Sequence, residues 1–301
     1  MKSFTLLTYS TTNLGDDIQS LAAAQFLPRV DHYVDRDALS TAQSLGETCV
    51  IMNGWFKRNP RDWPLPDNIR SLFVSFHIAS QHQRELTQPK CLRYYERFGP
   101  IGCRDYFTLN LLKSFGVDAY FSGCLTLTFP KSGLPRDGRT YFVDPFGPNP
   151  GYRFPHPGDS GFREDLWRCF PETVRRKAVF VTHACGSGES AEARFKKAGR
   201  LLGIYSRASL VVTARLHCAL PCLAMGTPVI FLYHDKDNPR FQGLFELMRS
   251  CSLEDLREGR LKIDWENPPQ NFSDFSAAAE LLRNRCTQFV EVSGEASCRG
   301  A

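Results

Sequence analysis

The chain has no long apolar run: nothing in it approaches the roughly 18 consecutive apolar residues that a membrane-crossing helix needs. Its first ten residues, Met1 to Ser10, carry one lysine and a strand-like Phe4-Thr5-Leu6-Leu7-Thr8-Tyr9, without the apolar helix core and small-residue cleavage site of a signal peptide. Cys-x-x-Cys pairs are missing too. Eleven scattered cysteines, an odd number, suit reduced thiols better than a disulfide framework. No charge of one sign dominates: the net charge is +5, and the basic residues are spread rather than gathered with aromatics into a nucleic-acid patch. Internal repeats and low-complexity tracts are also lacking. These absences point to a soluble globular protein, expected in the cytoplasm or peripherally at the inner membrane face, with no nucleic-acid partner and no integral membrane segment.

With 301 residues, 42% apolar and 23% charged, the chain exceeds the size at which one core usually keeps growing, so two domains of about 130 residues each are expected. Strands are read at Phe4 to Tyr9, Cys49 to Met52 and Leu72 to Phe76, with helices from Asp16 to Phe26 and from Asp105 to Phe115. Ile18, Leu21, Ala22 and Gln25 fall on one face of the first helix, and Thr108, Leu111, Leu112 and Phe115 on one face of the second. Such alternation implies a parallel α/β sheet. The Pro-, Gly- and charge-rich stretch Phe129 to Gly138 reads as a linker, giving domains at 1–130 and 139–270 and a C-terminal helix and tail at 271–301. Beyond the linker, strands are read at Thr140 to Val143, Ala178 to Thr182, Leu210 to Thr213 and Val229 to Leu232, with a helix from Ala191 to Leu202, a long loop from Asp144 to Gly161 and an amphipathic tail helix from Phe272 to Val292.

The most informative segment runs from Ser209 to Leu232. Leu210 to Thr213 is an apolar burst, Cys218 to Met225 has helical spacing, Gly226 suits a helix stop, and Val229 to Leu232 is a second strand. In this βαβ unit Arg215 and His217 fall at the carboxyl end of a strand and the amino end of a helix, where open α/β sheets bind ligands and free amides attract anions. A guanidinium and an imidazole there suggest a phosphate or carboxylate substrate.

This Arg-Leu-His turn, followed by a Gly-x-Pro-Val-Ile strand, resembles the C-terminal signature of the polysaccharide pyruvyl transferases. Asn13-Leu14-Gly15-Asp16-Asp17 resembles that family's N-terminal Asn-x-Gly-Asp loop, and Gly102-Cys103-Arg104-Asp105 its central Arg motif. The resemblance implies two Rossmann-like domains facing each other across a cleft, in the manner of glycosyltransferase-B enzymes, with the C-terminal helix packing back on the first domain. It implies transfer of the enolpyruvyl group of phosphoenolpyruvate onto a sugar as a ketal during surface polysaccharide assembly. The acceptor would be a lipid-linked or nucleotide-linked saccharide on the first domain. The donor would sit on the second, with no further cofactor.

By carry-over, Arg215 and Arg104 hold the donor's two anions, His217 handles protons, and Leu216 lies between them in the binding turn. Asn13, Gly15 and Asp16 face the acceptor or the cleft. Plainer roles stay open: a surface salt bridge for Arg215, a helix-start position for His217, an ion pair with Asp105 or Asp118 for Arg104, helix capping for Asn13 or Asp16, a satisfied core or edge position for His77, and simple core packing for Trp55. His77, at a strand end, is a further cleft candidate. Where many relatives have a Gly-rich loop after the strand equivalent to Val50-Ile51-Met52, this chain has Asn53-Gly54-Trp55-Phe56, and Trp55 offers an apolar face for a pyranose ring. Phe121 to Thr126 also lacks the acidic residue expected there. No metal site is expected, because Cys218 and Cys222 read as helix packing and His183 with Cys185 completes no zinc pattern. The alternatives are a nucleotide-sugar glycosyltransferase of similar architecture, with Arg215 on a diphosphate, and a carbohydrate-binding relative without activity.

Overall fold

Short apolar runs such as Cys49-Val50-Ile51-Met52 and Leu210-Val211-Val212-Thr213 are buried along their whole length, as strands covered by helices on both faces must be. The computed structural model describes residues 3–56, 62–146, 157–159 and 161–295. The first sheet contains β1 (Ser3–Thr8), β2 (His32–Asp35), β3 (Thr48–Phe56), β4 (Ile69–Ile78), β5 (Ile101–Cys103) and β6 (Ala119–Phe121), in the order β2-β1-β3-β4-β5-β6. The second contains β7 (Thr140–Val143), β8 (Ala178–Val181), β9 (Leu210–Thr213), β10 (Val229–Tyr233) and β11 (Ser250–Ser252), in the order β11-β10-β9-β7-β8. Every strand pair in both sheets is parallel. The architecture is therefore two Rossmann-like α/β units.

The helices are α1 (Leu14–Ala24), α2 (Gln83–Leu86), α3 (Pro89–Phe98), α4 (Tyr106–Ser114), α5 (Glu164–Trp167), α6 (Glu172–Arg176), α7 (Ala191–Tyr205), α8 (Leu216–Ala224), α9 (Leu253–Arg257) and α10 (Ser276–Glu295). α10 returns to the first domain, against the turn Leu125–Thr128 and strands β3 and β4. Among the described residues no helix is long and apolar enough to cross a membrane. One apolar core is shared by the two units. It joins Leu14, Ile18 and Ala22 of α1, Leu125 and Leu127, Leu201 of α7, Leu220 and Leu223 of α8, and Leu282 of α10.

Several local readings change. α1 starts at Leu14 rather than Asp16, because the Asn13 side chain caps it. Ile18 and Ala22 are buried as expected, but Gln25 is exposed, while Asp16, Asp17, Gln19 and Ser20 are buried. Of these, Asp17 meets the second domain, while Asp16 and Ser20 bond within the first. In α4, Thr108 and Leu112 are buried, whereas Phe115 lies past the helix end and is 47% exposed; Leu109 and Val117 fill the core instead. Strands β2, β5, β6 and β11, three or four residues each, are too short to show a period and were not anticipated. Much of the loop expected from Asp144 to Gly161 lies outside the described residues.

The second domain grips α1 through Arg194 of α7. Its Nε and Nη2 donate to the two carboxylate oxygens of Asp17 at 3.0 and 2.6 Å, and its Nη1 donates to the Thr11 carbonyl. Both side chains are almost wholly buried. Burial raises the Asp17 carboxyl to about 6 even against the pull of Arg194, so much of their attraction offsets desolvation. Backbone contacts extend the seam, with Leu14 N–H donating to His183 O at 2.8 Å and Cys185 N–H to Thr12 O at 3.1 Å. Arg194→Met is expected to lower unfolding stability by about 3–5 kcal/mol, since it strands a buried carboxylate, while adding Asp17→Val should restore most of the loss. Urea unfolding of the single and double variants checks this; a single variant within about 1 kcal/mol of wild type would remove the pair from its structural role.

Candidate active site

In parallel sheets the strand carboxyl ends collect functional groups, because helix amino termini and loops converge there. Register brings the first-domain groups level: Trp55 pairs with His77 across β3 and β4, and Phe76 with Cys103 across β4 and β5. Arg104 follows directly, its N–H donating to Phe76 O at 2.9 Å. Asp105 caps α4, accepting from Thr108 N–H through Oδ1 at 2.9 Å, and its Oδ2 lies 2.5 Å from His77 Nδ1. That carboxylate fixes the neutral His77 ring with its proton on Nδ1. Burial, and then the nearby Arg104, pull His77 down to about 4. Burial works to raise Asp105, but His77 and Arg104 together hold it below the ordinary carboxylate range.

Arg104 is the anomaly. Its side chain has 0% exposure, its Nε is 3.6 Å from Asp105 Oδ2, and none of its three guanidinium nitrogens has a hydrogen-bond partner. A buried cation with unmade hydrogen bonds is costly unless an anion completes it.

On the second domain, the register Val143↔Thr213 sets Asp144 beside the β9 end. Thr213 Oγ1 donates to Val143 O at 2.7 Å and accepts from Arg215 N–H at 2.9 Å. Asp144, in the left-handed region at φ +43°, accepts from Arg215 Nε at 2.7 Å and from His183 N–H at 3.0 Å through the same Oδ2. So Arg215 does form a salt bridge, but to a buried carboxylate that anchors one edge of its guanidinium. Its terminal nitrogens stay open to the cavity.

His217 sits at the second position of α8 with non-helical φ −81°, ψ 15°, and its Nε2 is buried without a partner. Burial, then Arg104, Arg240 and His183, push this imidazole well below its usual value. A group held that far below its usual value is uncharged at pH 7. Neighbouring His183 contacts Tyr205 Oη at 2.6 Å through Nε2 and leaves Nδ1 unpartnered. A Cβ on Gly15 would lie 3.1 Å from that Nδ1, so the glycine permits this close approach.

A cavity of about 210 Å³ joins Asn13, Gly15, His183, Arg215, Leu216 and His217, closed on one side by the segment after β10 that carries Arg240. Five of the residues singled out in the sequence thus meet around one space. Arg104, expected to hold one of the donor's anions, does not line the cavity, but its charge helps depress His217. Asp16, Trp55 and His77 do not line the cavity. Asp16 accepts from Thr11 Oγ1 at 2.8 Å and from Gln19 Nε2 at 3.3 Å, an intradomain role. Asn13 caps α1 and borders the cavity as well. Trp55 lies under Arg240, whose Cζ is 4.5 Å from its ring centroid.

Asp144 and Arg240 were not singled out in the sequence, and His183 was weighed there only with Cys185 as a zinc pattern and set aside. Asp144 and His183 follow strands and a strand-end rule would have found them; Arg240, in an Asp-Asn-Pro-Arg turn, gives no such signal.

The sequence model of the family described as polysaccharide pyruvyl transferase matches residues 13–236, most of the chain and all three motifs. The chain belongs to this family. No curated protein matches it significantly. Among solved structures, the Escherichia coli heptosyltransferase WaaC with ADP is similar at 10% identity, over 95% of this chain and 99% of that one, with a TM-score of 0.32. So distant a likeness carries no functional conclusion. Family membership makes the chain a transferase of the polysaccharide pyruvyl type; the matched span includes Arg104, Arg215 and His217, of which Arg215 and His217 line the cavity.

The two depressed imidazoles have a measurable consequence. Unfolded histidine binds protons near pH 6.5 while folded His77 resists until about 4, so its stabilising contribution is complete above 6.5 and is lost as pH falls through that window. His77→Gln is expected to flatten the acid loss of stability between pH 7 and 4.5 by up to about 3 kcal/mol. Equally steep urea-midpoint profiles for variant and wild type would show that His77 titrates normally in the fold.

Proposed function

We propose that the cavity binds phosphoenolpyruvate and that the protein transfers its enolpyruvyl group to a sugar as a ketal. The observation that carries this reading is the buried guanidinium of Arg104, which makes no hydrogen bond and whose charge reaches His217, together with a cavity lined by Arg215 and His217. Phosphoenolpyruvate offers a phosphate and a carboxylate, and guanidinium groups hold both bidentately. The unpaired amides of Leu216 and His217 at the start of α8 add donors for the same anion.

The bound donor's negative charge would offset the arginines that depress His217, returning the imidazole toward its usual range. Protonation at the donor's methylene carbon leaves a positive centre on C2. A sugar hydroxyl attacks C2 and releases a proton, the C–O bond to phosphate breaks, and a second hydroxyl closes the ketal with release of another proton. The two hydroxyl protons balance the one gained by the methyl group and the one leaving with phosphate. His217 is the group placed to carry them, and Asp144 and His183 keep its neighbours in position. The acceptor is a saccharide of surface polysaccharide assembly, lipid-linked or nucleotide-linked.

Phosphoenolpyruvate at a hundredfold excess over its dissociation constant should stabilise the protein by about 2.7 kcal/mol, and candidate saccharides should then trigger phosphate release. A strong shift with a nucleotide sugar and none with phosphoenolpyruvate would replace this reading with a glycosyltransferase. Arg215→Lys, which keeps charge but loses the planar fork, should weaken donor binding without unfolding the chain. His217→Gln should lose about 10²- to 10⁴-fold in turnover with little change in donor affinity, and wild-type turnover in that variant would sink the proton-transfer role.

A further inference from the structure

Arg240 belongs to no motif, yet it is held with more care than a surface arginine. It lies in the strap 234–243, which leaves β10 in the second domain and lands on the first. The landing is specific: Tyr106 N–H, at the start of α4, donates to Gln242 O at 3.1 Å. Gly243, at φ +83°, sits so close that a Cβ would be 2.8 Å from the Phe121 ring and 2.9 Å from the Tyr106 ring. Within the strap, Asn238 Oδ1 accepts from Arg240 N–H at 3.1 Å, and Phe241 packs against Phe231 and Phe245. The guanidinium is thereby laid over Trp55 of the first domain, and its Nε is buried without a partner.

Among the described residues no carboxylate hydrogen-bonds this cation. Burial and the neighbouring Arg104 pull it down to about 10, with Arg215 adding to the effect. The protein thus holds a third guanidinium against repulsion, at the wall of the cavity, with an unmade hydrogen bond. An indole face offsets part of that cost but supplies no acceptor. We propose that Arg240 is a donor-binding residue delivered across the cleft by the strap, so that the anion site is complete only while Gly243 is seated on Tyr106 and Phe121. The inference rests on the phosphoenolpyruvate reading. Trp55 then supports the donor side, and Gly243, outside the cavity, is a positioning residue.

Calorimetric titration of the full-length protein with phosphoenolpyruvate tests this. Arg240→Ala should weaken binding about 10- to 100-fold, the worth of a hydrogen bond to a charged group, and Arg240→Lys should recover only part. Gly243→Ala, which touches no ligand, should give a loss of the same kind, and the double variant should bind no worse than the weaker single one. If Gly243→Ala does not fold, Trp55→Leu removes the ring beneath the guanidinium and should show the same non-additivity with Arg240→Ala. In each variant KM for the donor should rise more than kcat falls. Wild-type affinity in Arg240→Ala, or losses that simply add, would overturn the inference and leave the donor reading standing. A wild-type protein that binds no phosphoenolpyruvate would remove the donor reading and the inference with it.

Discussion

Everything at the site depends on how helix α1 is clamped between the two sheets. One side of it contributes Leu14, Ile18 and Ala22 to the shared apolar core; the other presents Asp17 to Arg194 and the Asn13 turn to Ala184. The apolar contact holds the domains together without choosing an orientation. The bidentate ion pair and the backbone bonds at Leu14 and Cys185 are directional, and they choose one. With that orientation set, the α1 start carrying Asn13 and Gly15 and the β9 end carrying Arg215 border the same pocket.

The pocket's charge is arranged to be incomplete. Asp105 and Asp144 each stand beside an arginine, but they orient rather than neutralise: Asp144 takes one edge of Arg215, and Asp105 is engaged by His77. Arg215, Arg240 and the imidazoles of His183 and His217 therefore line one cavity, with buried nitrogens of Arg240, His183 and His217 making no hydrogen bond. Such a site is poor at holding protons and suited to holding a multiply charged anion. The depressed values of His77 and His217 come first from burial and then from that same field.

The motif positions were legible because each depends on local rules. A buried strand, a turn and a helix put Arg215 and His217 at a strand end, and the same logic served Arg104 and Asn13. Trp55 and His77 were read as cleft residues on the same grounds; the register pairs them, yet both stand back from the cavity, and Trp55 carries Arg240 instead. Asp16 and Asp17 look alike in sequence, a solvated acidic pair in a first helical turn. Only one meets Arg194, 177 positions away.

By itself, the sequence determined the α/β class, the alternation that makes the sheets parallel, the C-terminal helix and the three motif turns. Each is written in side-chain periodicity and turn chemistry over fewer than about 20 residues. The tertiary structure decided that Asp17 of α1 meets Arg194 across the domains, that Arg240 joins the pocket from a strap, and that burial and charge push His217 well below its usual value. Those properties are sums over groups far apart in the chain. A titration value reflects every charge and every desolvating atom around it, and a cross-domain contact exists only once two separately specified surfaces have met.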